Sequence, residues 1–264
     1  MRTFRDRKGQ FIIIAALFIS IMIVSVSTIM YSTVTYFRHE RWEEYLTIVD
    51  SIKSGSSKVM EVSLASYTQT NNSAVLMDNL NQWIRDVRKA YPGFGIDLNY
   101  TLESGVRSAY GVSLNYSLGL ARVWKQPVSY SAANVTFTIN LASVGLTGYS
   151  FFTHMFLRTN IRDAVWHSGS GKQYVLIYLS VDKDGSEPVI NLLKGNFAEV
   201  KLNGVPQSFL FKRYYSTTYS SFVYELRVNS VTSMPSSVEV SLADTKGINT
   251  VSTATSPIIR QDTG

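Results

Sequence analysis

The side chains able to do chemistry are few and scattered. The 264 residues include three histidines and no cysteine, which removes disulfides, thiolate metal sites and a cysteine nucleophile. His39 stands in the charged run Arg38-His39-Glu40-Arg41, where it is expected to be solvated. His154 and His167 are separated by 12 residues and fall short of the three or four converging ligands that zinc needs. The run Asp182-Lys183-Asp184-Gly185-Ser186-Glu187 superficially resembles a calcium loop. An EF-hand, however, places glycine sixth and a bidentate acid twelfth. Here glycine comes fourth and the twelfth position is Leu193, so a strand-end turn is the expected use. Gly169-Ser170-Gly171-Lys172 lacks phosphate-loop spacing and is followed by Gln173 rather than a hydroxyl residue. No Ser–His–Asp order and no paired carboxylates can be assembled either. The expectation is a protein without catalysis, metal or cofactor.

Two other groups of residues invite modification or contact. Asn71, Asn99, Asn115 and Asn134 each begin an Asn-x-Ser/Thr sequon and are candidate N-glycosylation sites. The segment Tyr214–Phe222 concentrates tyrosine with serine and threonine. That mixture suits adhesive surfaces, but tyrosine is also a strong strand former, and a strand with a polar turn is expected.

The elements that must position these residues are read from periodicity. Residues 11–37 carry no charged side chain. As a helix they extend about 40 Å, more than a hydrocarbon core of about 30 Å requires. Beyond them Trp42, Tyr45, Val49 and Ile52, then Val59, Val62 and Ala65, recur at helical spacing. Ser54-Gly55-Ser56-Ser57 is expected to kink or break that helix. A second helix is expected from Asn72 or Ser73, either of which can cap it, to Tyr91-Pro92-Gly93, with a stripe of Leu76, Leu80, Trp83 and Val87. The period then changes to two. Strands are expected at 96–102, 112–118, 134–141 and 155–161, with a turn at 145–149. After a linker at 167–172 they are expected at 174–181, 196–202, 208–213, 222–228 and 237–242. Turn signals stand at Asp184-Gly185, Asn203-Gly204 and Lys246-Gly247.

The fold class expected is α+β: a long N-terminal hydrophobic helix extended as an amphipathic stalk, followed by a β-rich module and an immunoglobulin-like β-sandwich. The expected divisions are a signal-like segment 1–9, a transmembrane or assembly helix 10–37, amphipathic helices 38–93, a first β module 94–166, the sandwich 173–253 and a flexible tail 254–264.

Charge orients the apolar run. Arg2, Arg5, Arg7 and Lys8 precede it against Asp6 alone, whereas Arg38 and Arg41 after it are offset by Glu40, Glu43 and Glu44. The excess on the N-terminal side predicts that end in the cytoplasm and residues 38–264 outside, in a single pass. Residues 1–9 hold four of the 25 basic and one of the 19 acidic residues, so without them the net charge falls from +6 to +3. The basic balance is therefore partly a topology signal, and no clustered basic face points to nucleic acid.

Arg7-Lys8-Gly9-Gln10-Phe11 before a long apolar helix resembles the class III signal peptide of archaeal type IV pilin-like proteins. The resemblance implies cutting by a prepilin peptidase on the cytoplasmic side, between Gly9 and Gln10, with Lys8 as the preceding charged residue. It further implies that residues 11–37 lie in membrane lipid until they pack against like or related pilin subunits in a filament. Bacterial pilins carry a glutamate at the fifth mature position, where this chain has Ile14, so the likeness is to the archaeal branch. The implied role is a structural or adhesive subunit, or a minor component with an enlarged head, facing a surface or envelope ligand. The alternative is a single-pass anchored surface protein that does not polymerise.

Overall fold

The computed structural model describes residues 4–109, 111–169, 172–184 and 187–262, with side chains described from residue 16 onward except at 35–44 and 144. Two units are present, residues 1–53 and 54–264. Helix α1 (Phe4–Thr70) contributes to both and is followed by α2 (Val75–Ala90). Fifteen strands follow: β1 (Ile96–Leu102), β2 (Gly105–Ala109), β3 (Val112–Tyr116), β4 (Leu120–Val123) and β5 (Val128–Leu141). Next come β6 (Leu146–Gly169), β7 (Lys172–Lys183), β8 (Glu187–Pro188), β9 (Phe197–Leu202) and β10 (Val205–Gln207). The last are β11 (Leu210–Ser216), β12 (Ser221–Asn229), β13 (Ser237–Ala243), β14 (Asn249–Thr255) and β15 (Ile259–Asp262). An N-terminal apolar helix followed by a β-rich region with mostly antiparallel sheets is thus the architecture.

In unit 54–264 the main sheet runs β1-β5-β6-β7-β12-β11, with β4 beside β5, β8 beside β7 and β15 beside β6. Its organiser is β6, a strand of 24 residues. The first part of β6 pairs with β5 from Leu146 to Asn160, and the second pairs with β7 from Leu157 to Gly169. Where β5 ends, β15 takes the vacated edge in parallel, Ile259–Asp262 beside Ala164–His167. A second sheet, β10-β9-β13-β14, packs on the first. The Thr159 and Thr250 hydroxyls bond between the sheets, and the Phe197 and Tyr224 rings meet 5.4 Å apart. Asn203 and Gly204, at φ 52° and 79°, make the tight turn of the β9–β10 hairpin, the left-handed pair that a two-residue hairpin demands.

Two features correct the expected division. The segment 167–172 is no linker, because β6 and β7 pair there as far as Gly169 and Lys172. Strands from both expected modules therefore share one sheet, and 94–166 and 173–253 are not separate bodies. Nor are the described residues 254–262 of the expected tail flexible ends: Ala254 lies in β14, and Ile259 is only 3% exposed. Arg260 donates to Asp163 through both Nε and Nη2, the latter at 2.6 Å.

The helices close one face of the main sheet. Trp83 of α2 meets Phe137 of β5 edge to face at 5.7 Å, and Asn79 Nδ2 donates to Ser63 Oγ at 2.9 Å, joining α2 to α1. The expected break at Ser54–Ser57 does not occur, since α1 runs through it. Packing overrides propensity there: a Cβ at Gly55 would lie 3.0 Å from Trp83 Nε1, and Ser56 is fully buried. The buried stripe of this part of α1 is Ser56, Met60, Ser63, Leu64 and Tyr67, whereas Val62 is exposed, so the Val59-Val62-Ala65 face is the wrong one. On α2 the buried stripe is Leu76, Leu80, Ile84 and Val87. Asn72 does not cap the helix; its Oδ1 accepts from the Ala74 amide at 3.0 Å, one step before it.

Candidate functional site

The apolar part of α1 is described from Ala16. Ala16–Val34 is a 19-residue stretch of mean hydropathy 2.0 with no residue buried. Its hydroxyls fold back onto the helix: Ser20 Oγ donates to the Ala16 carbonyl at 2.9 Å and Thr28 Oγ1 to that of Val24 at 2.8 Å. Back-bonding of this kind leaves the Ser20 methylene and the Thr28 methyl, rather than an open hydroxyl, facing the surroundings. Such a helix is long enough to cross a bilayer. Lys8, Gly9 and Gln10, the expected cleavage residues, stand within α1 with only their backbone described, as does His39.

The other candidates are mostly engaged in structure. His167 Nδ1 lies 2.8 Å from Asp262 Oδ2, with its ring stacked on Tyr174 at 4.6 Å. Asp182 holds Arg158 at 2.5 Å, and Asp184 Oδ1 accepts the Phe156 amide at 3.0 Å. Asp182 is thus buried and paired and Asp184, though exposed, is held to the β6 backbone, while Gly185 and Ser186 lie outside the described residues, as do Ser170 and Gly171 of the glycine-rich segment. No cluster of metal-ligating side chains occurs among the described residues. In the tyrosine-rich hairpin, Tyr214 donates to Glu225 and Tyr219 to Asp163. Burial, and then the Asp163 charge, push the Tyr219 phenol up to about 12. Tyr215 alone of these is largely exposed, at 65%.

Of the sequon asparagines, Asn71, Asn99 and Asn115 are exposed and Asn134 is 5% exposed. Asn134 is therefore withdrawn as a glycan acceptor in the folded chain. Its backbone is also fixed: its amide donates to the Gly119 carbonyl at 2.7 Å. Gly119 itself sits at φ 78°, and a Cβ there would meet the Asn134 carbonyl at 3.0 Å. Such a close approach needs glycine.

Asn134 belongs instead to a cavity of about 260 Å³ on the sheet face opposite the helices. The alternation of β5 sends Ser129, Ser131 and Phe137 toward α2 and the second sheet, and Tyr130, Ala132 and Asn134 the other way. On β6, Phe152, His154 and Phe156 lie on that same face, with His154 opposite Asn134 and Phe156 opposite Ala132. The β2–β3 hairpin covers the far side with Leu114 and Tyr116, which join the buried cluster of Tyr130, Ala132 and Phe156. Arg107 lines the mouth and pairs with Glu103 at 2.7 Å. Burial, then the Glu103 charge, raise the Tyr116 phenol to about 12, so it stays protonated. Sequence reasoning missed this group. The usable signal was Phe152-x-His154-x-Phe156, three rings on one face of a strand.

A second cavity, of about 580 Å³, lies by the β6–β7 hairpin, where the Arg227 guanidinium stacks 4.0 Å over Tyr174 and bonds to Asn229. Lys172 lines it as well. No family model, no curated protein and no solved structure matches this chain.

Proposed function

We propose that this chain is a pilin-like, extracytoplasmic structural or adhesive protein of the archaeal type IV kind. It is cut between Gly9 and Gln10 and built into a surface filament as a subunit or minor component. The observation carrying this is the fully exposed apolar stretch Ala16–Val34. So much apolar helix surface requires a cover, lipid before assembly and neighbouring helices after it. The order Lys8-Gly9-Gln10 before the apolar run supplies the route from one cover to the other. Serines and threonines spaced through 20–35 suit close helix–helix approach. The charge asymmetry supports an extracytoplasmic position for residues 38–264, where the exposed Asn71, Asn99 and Asn115 would be open to glycosylation. Within this reading β7-β12-β11 and β10-β9-β13-β14 form an immunoglobulin-like pair of sheets to which β5 and β6 have been joined.

The size of unit 54–264 favours a second reading, a single-pass anchor that never polymerises. Electron microscopy of sheared surface material separates the two. Filaments labelled by antibody to residues 54–264 are the expected result. Recovery of the chain solely from detergent-extracted membranes would remove the filament role.

A further inference from the structure

We infer that the cavity between the β2–β3 hairpin and the β5–β6 face binds a single ring of a neutral saccharide. The inference does not depend on cleavage or filament assembly, because every residue used lies in unit 54–264.

The walls define the ligand. Phe152, Phe156 and Tyr116 offer aromatic surface, and Phe152 is 53% exposed at the rim. Stacked and edge-on rings favour a ligand that presents a flat array of C–H bonds. A purely apolar ligand is the poorer match, because Asn134 brings an amide to the wall. Its Oδ1 is buried and has no hydrogen-bond partner among the described residues. A buried acceptor left open costs free energy and calls for a donor, which a sugar hydroxyl supplies once the amide turns toward it. His154, exposed between Phe152 and Phe156 at ring distances of 6.0 and 5.2 Å, adds a ring nitrogen at the same mouth. Arg107 adds guanidinium donors.

Charge then narrows the class. Among the described residues no carboxylate lines the cavity, which disfavours a cation. Arg107 is already neutralised by Glu103 at 2.7 Å, which removes the pull on an anion. A neutral, polyhydroxylated ring remains. A volume of about 260 Å³ falls just below the range of drug-sized pockets, and so suits one ring with the next residue of a chain left outside.

The test is saturation-transfer NMR on the full chain, in a detergent without a sugar headgroup. The probes are the methyl pyranosides of glucose, mannose and galactose and N-acetylglucosamine, at about 10 mM to reach a millimolar site. At least one is expected to receive saturation at its ring protons. Phe152→Ala, a change at an exposed position, is expected to weaken that probe roughly tenfold with an unchanged melting temperature. Arg107→Gln, also at an exposed side chain, is expected to weaken it as well. No transfer to any probe overturns the proposal, as does transfer that neither substitution alters. If Phe152→Ala changes only self-association of the chain, the face is an interface between copies and the saccharide site is refuted.

Discussion

At the scale of single residues, the decisive observation is how many polar side chains are consumed by the fold. Arg158 and Asp182 have side chains 16% and 11% exposed and meet at 2.5 Å across β6 and β7. Removing one partner of such a pair strands a buried charge, whereas replacing both can be nearly neutral. Arg158→Met is therefore expected to cost about 3 kcal/mol. Arg158→Met with Asp182→Leu should recover most of it, as read from urea unfolding followed by tryptophan fluorescence. Equal costs for the single and double variants would show that the pair is not coupled. In the calcium-like run the strand-end turn was legible from the non-EF-hand spacing, but the burial of Asp182 against Arg158 was not. Asn134 teaches the same lesson. The Asn-x-Thr pattern is blind to burial, and burial is decided by Gly119 and by the hairpin lying over the strand.

At the scale of elements, alternation located most strands closely. The expected 96–102 coincides with β1, and 222–228 lies within β12. Strand β5 begins six residues earlier than the expected 134, because Ser129–Ala133 carries, Tyr130 apart, small residues on both faces. Both faces there are buried, so small side chains replace the polar–apolar contrast on which alternation depends. Strand β15 escaped for a different reason: four residues in a parallel pair leave almost no pattern. Its contribution is measurable. Ending the chain after Thr255 removes the buried Ile259 and leaves Asp163 without Arg260. A loss of about 3 kcal/mol is expected from apolar burial and the unpaired carboxylate, discounted because Arg260 is 64% exposed. Unfolding midpoints of the full and shortened chains would measure it, and a tail without structural role would cost nothing. In α1, Gly55 looks like a breaker in sequence and acts as a seat for Trp83.

At the scale of the whole molecule, the sequence supports an apolar helix ahead of a β-rich region, and its two-module division fails. Turn residues at 167–172 look alike whether they join two domains or two strands of a hairpin. Only the pairing of β6 with β7 distinguishes them. The exposed apolar stretch Ala16–Val34 is long enough to span a membrane, and on the proposed reading lipid or other helices cover it. Which cover is final turns on one peptide bond. Mass spectrometry of the N-terminal peptide of the protein isolated from its native surface tests this most directly. A mature chain beginning at Gln10 is the predicted result, and one beginning at Met1 or Arg2 would contradict the account.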